Sequence, residues 1–157
     1  MNDFVVSRNG ILVPEREYYW NENSKLFKCH LPGVQIDFAN NCDVTFEVTD
    51  ACYITTSDRC HFILGTNCCI IAGKECKIEA RSQCFVLVLS DCSFSVGKDC
   101  TIDVIGGGVF DVGKNTVIIR RDVNEVYHAK DHIYLQSFTR ESGFFTKEEL
   151  MIRDIIK

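Results

Sequence analysis

The sequence is short of the features that would place it in most functional classes. Only two prolines interrupt its 157 residues, and 46% of the chain is apolar, so disorder is not expected. No apolar run approaches the roughly 18–20 residues that a membrane helix needs. No Gly-x-Ser-x-Gly elbow, P-loop or Gly-x-Gly-x-x-Gly fingerprint occurs, so the common marks of hydrolases and nucleotide binders are absent. The Cys-x7-Cys ladder offers no Cys-x2-Cys or paired-His knuckle of a zinc site. The net charge of −5 is the wrong sign for a nucleic-acid face and too mild for an acidic DNA mimic. Met1–Val6 lack the basic start and long apolar core of a secretory signal. The expectation is one domain with no membrane and no nucleic-acid partner.

Cysteine is plentiful, and its spacing carries the analysis. Cys52, Cys60, Cys68, Cys76, Cys84, Cys92 and Cys100 recur every eight residues. Gly108 and Thr116 fill the next two slots of the same beat. Two residues after each slot stands a bulky apolar side chain: Ile54, Phe62, Ile70, Ile78, Val86, Phe94, Ile102, Phe110, Ile118. Each octad alternates in-out-in-out-in and then turns over three residues, a strand followed by a corner. A fixed short period is the signature of a repeat architecture. Thiols at one phase of a strand, among Ile, Val and Phe, are expected to be reduced and buried, in a cytosolic setting, rather than paired as disulfides. Several corners open with glycine, at Gly65, Gly73, Gly97 and Gly113, which suggests a positive φ there.

Alternate octads differ in kind. Ile54, Ile70, Val86, Ile102 and Ile118 occupy one set of central positions, and Phe62, Ile78, Phe94 and Phe110 the other. The doubled period of sixteen predicts an all-β, single-stranded β-solenoid (β-helix) with two short strands per coil of about 16 residues. The beat extends back to Val34, Ile36 and Phe38 and then to Cys42, Val44 and Phe46. Cys42 to Cys52 is ten residues, which places two extra residues near 49–51. About eleven octads, or five and a half coils, therefore run through residues 34–121. Residues 1–33 read as an N-terminal cap, with Asn9-Gly10 as a hairpin turn and Tyr18-Tyr19-Trp20 covering the open end. Residues 122–157 read as a hairpin, over Val123–Tyr127 and Ile133–Leu135, and a short C-terminal α-helix. That helix opens with the capping pattern Thr146-Lys147-Glu148-Glu149 and carries Leu150, Met151, Ile152, Ile155 and Ile156.

The outward positions split by sheet. One sheet shows Tyr53, Cys69, Ile71, Phe85, Leu87, Val117 and Ile119; the other shows His61, Lys77, Glu79, Ser93, Ser95 and Asp111, with Ile63 and Val109 as exceptions. An apolar outer face of that size is expected to be covered, by a second copy in a homodimer, by the chain's own termini or by a foreign protein. Arg120 falls in an inward slot and, with Arg121, is a salt-bridged end of the array or an anion contact. His128, Asp131 and His132 would share a metal only on a helix, which the segment does not favour, so no metal and no cofactor is expected. Gly106-Gly107-Gly108 falls in a turn slot rather than a phosphate cradle. Cys69 is the outward thiol of the ladder, but no base has a defined place beside it.

The octads, such as Gly97-Lys98-Asp99-Cys100-Thr101-Ile102, followed by Val117-Ile118-Ile119-Arg120-Arg121-Asp122-Val123-Asn124-Glu125-Val126, resemble a group of uncharacterised bacteriophage proteins. In those proteins Cys-containing octapeptide repeats end in a Val-x-Ile-Arg-Arg-Asp segment. The resemblance spans roughly residues 42–126. It implies a phage accessory protein in the host bacterial cytoplasm and supplies no activity or catalytic residue. The expected function is non-enzymatic protein–protein binding, in its sharpest form inhibition of a host anti-phage defence enzyme. A virion component or self-assembling polymer, and a nucleotide- or anion-binding protein, are the alternatives.

Overall fold

The computed structural model describes residues 4–105 and 108–119, together with the backbone of Arg120 and of three later strands. The N-terminal hairpin joins β1 (Val5–Arg8) to β2 (Ile11–Leu12). Asn9 and Gly10 both take positive φ, 53° and 79°, which is what a type I′ turn requires. A 3-10 turn at Glu15–Glu17 leads into β3 (Tyr18–Asn21) and β4 (Leu26–Cys29). The first alternating strands are β5 (Gln35–Asp37), β6 (Thr45–Val48), β7 (Tyr53–Thr55) and β8 (His61–Ile63). Then come β9 (Cys69–Ile71), β10 (Lys77–Ala80), β11 (Phe85–Val88) and β12 (Cys92–Val96). The series closes with β13 (Thr101–Val104), β14 (Gly108–Val112), β15 (Thr116–Arg120), β16 (Val126–Ala129), β17 (Ile133–Ser137) and β18 (Gly143–Phe145).

Successive strands fall alternately on two sheets. Sheet A runs β18-β17-β15-β13-β11-β9-β7-β5-β1-β2, and sheet B runs β16-β14-β12-β10-β8-β6-β4-β3. Pairing is parallel from β5 to β17 in sheet A and from β4 to β16 in sheet B. It is antiparallel only at the ends, in β1–β2, β1–β5, β3–β4 and β17–β18. The protein is thus an all-β, parallel β-solenoid of about six turns. The sixteen-residue offset is visible in the registers Ile54↔Ile70, Val86↔Ile102 and Ile78↔Phe94.

The alternation places one apolar column behind each sheet. Ile36, Ile54, Ile70, Val86, Ile102 and Ile118 line sheet A, and Phe46, Phe62, Ile78, Phe94 and Phe110 line sheet B; all are buried. Phe46 stacks on Phe62 with centroids 5.2 Å apart, and Phe94 on Phe110 at 4.8 Å. Each such side chain contributes about 1.5–3 kcal/mol by leaving water. At the N-terminal end Phe4 stacks flat on Phe38 at 4.2 Å and meets Tyr18 and Trp20 edge-on. The aromatic residues near the N-terminus therefore cover the first coil.

All ten cysteines are free, and eight are buried. From Cys60 on, each ladder thiol donates to a corner carbonyl nineteen residues earlier: Cys68 to Thr49 at 3.1 Å, Cys84 to Gly65 at 3.4 Å, Cys100 to Arg81 at 3.3 Å. Thr116, one coil later on the same sheet, makes the same bond to Gly97 at 3.4 Å. The slot therefore wants a small side chain with one donor, and cysteine or threonine satisfies it.

Four expectations need correction. First, the corner glycines are not left-handed. The left-handed residue is the one just before each inward slot: Asp43, Ala51, Arg59, Asn67, Glu75, Gln83, Asp91, Asp99 and Asn115, with φ from 55° to 62°. The glycines serve close approach instead. A Cβ on Gly113 would lie 2.5 Å from the Gly97 carbonyl carbon and the Lys98 nitrogen of the coil before. Second, the two extra residues sit between β5 and β6, within 39–42, not near 49–51, because the left-handed positions at 43, 51 and 59 keep the beat of eight unbroken. Cys42 is consequently a half-buried corner residue outside the ladder, and Val44 holds the inward slot. Third, the proposed C-terminal hairpin over Val123–Tyr127 and Ile133–Leu135 is not one. β16 pairs in parallel with β14 and β17 with β15, which extends the coil by seventeen-residue steps such as Phe110↔Tyr127 and Ile118↔Leu135. Fourth, parallel stacking already begins at β4, within the residues read as a cap. The expected helix at 146–156, Arg121, Asp131 and His132 lie outside the described residues, as do the side chains of Arg120 and His128.

Candidate functional site

The two sheets have the same kind of inner wall, so function is sought on their outer faces. In-register stacking turns the outward residues into two columns per sheet. On sheet A one column is Ser7, Gln35, Tyr53, Cys69, Phe85, Thr101, Val117. The other is Val5, Asp37, Thr55, Ile71, Leu87, Asp103, Ile119. All seven apolar residues singled out from the sequence thus share this face. Phe85 is 41% exposed and Tyr53 39%, large fractions for aromatic rings; Cys69, Ile71, Leu87, Val117 and Ile119 are half-buried.

The face is not continuous, however. Thr101 and Asp103 separate Phe85 and Leu87 from Val117 and Ile119. The compact apolar part comprises Tyr53, Cys69, Ile71, Phe85 and Leu87 on β7, β9 and β11. The interruption follows directly from alternation around Ile102, but it is visible only once the register is known. Next to the apolar part lies a depression of about 320 Å³, lined by Val5, Ser7, Gln35, Asp37, Tyr53 and Thr55. Sequence reasoning passed over Gln35 and Asp37, although their place on either side of inward Ile36 is the signal that would have found them.

Sheet B is mostly polar outside, with Ile63 and Val109 exposed among the polar residues. Its columns bring Lys28 beside Glu47, with an ion pair at 3.1 Å, and His61 reaches diagonally to Glu79 in the neighbouring column, with a contact of 2.5 Å. The His61 hydrogen bond holds the Glu79 carboxyl below its ordinary range. A groove of about 410 Å³ at Arg16, Glu17, Tyr19, Lys28, His30 and Glu47 is filled with charges that already face one another, including Glu17 and His30 at 3.9 Å.

Cys42 and Cys69 are half-buried, and the other eight thiols are buried. Burial raises Cys69, the ladder's outward thiol. Within the ladder, Cys52 and Cys76 are pushed up first by the bond to the next thiol, Cys68 or Cys92, and then by burial. Burial also raises Cys60. Cys84 is pushed to about 11, first by its bond to Cys100. Cys68 also reaches about 11: its bond to Cys52 pulls it down, and its bond to Cys84 and burial together outweigh that. The thiols that accept such bonds at the column ends, Cys92 and Cys100, are lowered, Cys100 to about 7, yet only 1% of each is exposed. Among the described residues no group of three or more His, Cys, Asp or Glu could hold a metal, and no helix is long and apolar enough to cross a membrane.

No protein-family model, curated protein or solved structure matches the chain.

Proposed function

We propose that this protein acts by binding another protein through the outer face of sheet A, as a non-enzymatic accessory factor of a bacteriophage in the host cytoplasm, with a host anti-phage defence enzyme as its target class. The observation that carries the reading is the contrast between the two faces. Tyr53, Cys69, Ile71, Phe85 and Leu87 form one contiguous apolar strip, whereas on sheet B the exposed apolar residues Ile63 and Val109 stand apart among His61, Lys77, Glu79, Ser93, Ser95 and Asp111. Isolated apolar residues on a surface need no explanation, but a contiguous strip on a rigid sheet marks an interaction site. The phage setting rests on the octad and Arg-Arg-Asp resemblance alone.

The test is capture from a bacterial host lysate by the full chain, compared with the double variant Tyr53→Ser/Phe85→Ser and with a sheet B variant, Ser93→Ala. A protein retained by the parent and the sheet B variant, and lost from the double variant, supports the reading. Equal retention by all three removes the strip from the mechanism. Sedimentation of the same proteins at rising concentration tests the other occupant, a second copy, and detects a growing polymer.

A further inference from the structure

We infer that the strip takes a single segment of its partner, one that presents a short apolar run and a lysine or arginine, with the cation seated at Asp37. This rests on the proposed role of sheet A and specifies the chemistry of what binds there. Two observations lead to it.

The first is size. From β1 to β11 the face spans four rung spacings, about 19 Å, and its two columns lie about 7 Å apart. That is roughly 130 Å² of wall, well below the ~800 Å² per partner that stable subunit pairs bury. A wall of this shape accommodates one strand or one helix lying along the stack, not the face of a second subunit.

The second is charge. Asp37 is exposed on this face, in the depression beside Tyr53, and makes no ion pair among the described residues. One of its oxygens accepts the Ala39 amide at 3.1 Å, which fixes the carboxylate in place. No lysine, arginine or histidine occupies any described outward position of sheet A. A second copy presenting the same described face of sheet A would therefore bring no cation to Asp37, and the net charge of −5 opposes close approach of two copies. A basic side chain from another protein would satisfy the carboxylate and approach down a favourable field.

The geometry also sets a spacing. Asp37 and Leu87 stand in one column, three rungs or about 14 Å apart. An extended partner would carry its cation about four residues from the side chain over Leu87, and a helical one about nine.

The experiment is selection of peptides from a displayed random 12-residue library on the immobilised full chain, on Asp37→Lys and on Phe85→Ser. Parent selections should enrich Lys or Arg at one of those two spacings from an apolar pair. Asp37→Lys should switch the preference to Asp or Glu and weaken the best parent peptide at least tenfold, with an unchanged melting temperature showing that it folds. Phe85→Ser should lose the peptides altogether. Parent peptides that bind Asp37→Lys equally well, or a parent selection without basic residues or without any enrichment, would overturn the inference. Loss with Phe85→Ser alone would leave sheet A as the binding face but remove the cation. Retention of every peptide by Phe85→Ser would remove the face as well. A stable dimer that Phe85→Ser dissociates would also overturn the inference, because the second copy would then hold the strip.

Discussion

Sheets A and B are built from the same octad and differ most where the octad is indifferent. Their inner walls carry Ile in one and Phe in the other, both sealed. Their outer columns differ in kind: Tyr53, Cys69 and Phe85 in register on sheet A, His61, Lys77 and Ser93 in register on sheet B. Alternation enforces the inner residue and leaves the outer one free. A consistent bias among the free positions is therefore a better pointer to function here than the cysteines, whose regularity comes from packing.

Alkali tests the claim that the thiols lie behind both faces. The ordinary thiol value is 9.0, and Cys68 and Cys84 stand at about 11. Between those values the unfolded chain loses protons that the folded chain keeps, so stability falls as pH rises. Cys52, Cys60 and Cys76 act in the same direction, and the lowered Cys92 and Cys100 do not reverse it. Above pH 9 the raised thiols set the direction, because the lowered ones have already lost their protons in both states. Urea melts at intervals from pH 8 to 11 should show a steep drop, and a flat profile would mean the thiols are not sealed. The next largest contrast sets inside against outside. Phe62→Ala on sheet B should cost about 3–5 kcal/mol, and Phe85→Ala on the outer face of sheet A about 1 kcal/mol or less. Equal costs in urea titrations would erase the distinction between wall and surface.

Gly113→Ala probes the corner that joins the sheets. Its Cβ would press on the Gly97 and Lys98 backbone, and a loss of about 1–3 kcal/mol is expected. An unchanged unfolding midpoint would show that the corners are loosely stacked. The smallest effect belongs to sheet B. Glu47→Gln removes the exposed pair with Lys28 and should shift stability by less than ~0.5 kcal/mol without altering partner binding. Lost binding in that variant would transfer the function to the polar face.

Much of this architecture can be read in the sequence, because burial writes a period. Ile54, Phe62 and their successors mark both walls, and the alternation of Ile and Phe separates them. The failures have physical causes. Cys42 carries the ladder's residue type but lies in an enlarged corner, and composition could not reveal that Val44 had taken the slot. The left-handed position is filled by Ala51, Arg59, Glu75 and Gln83 as well as by Asn and Asp, so no residue type announces it. Neighbouring coils hold those residues in place: the Asn67 amide donates to the Ser82 carbonyl at 3.0 Å and the Glu75 amide to Ser90 at 2.9 Å. The last coil has no cysteine and steps by seventeen, which hides it from a search at eight. At the candidate site the apolar residues were legible one by one. Their division by Thr101 and Asp103, and the depression at Asp37, required the register.

A left-handed residue at every eighth position also governs how this chain can change in length. Removing one residue inside a strand would shift the later side chains of that strand from one surface of its sheet to the other, unless the next corner gives one up, as the seventeen-residue step of the last coil shows a corner can. Removing 69–84 as a block would join Cys68 to Phe85 and leave every corner, thiol bond and register intact, with one rung fewer. Whole-turn deletions and insertions therefore keep both walls in register, and this one would take Cys69 and Ile71 out of the apolar strip.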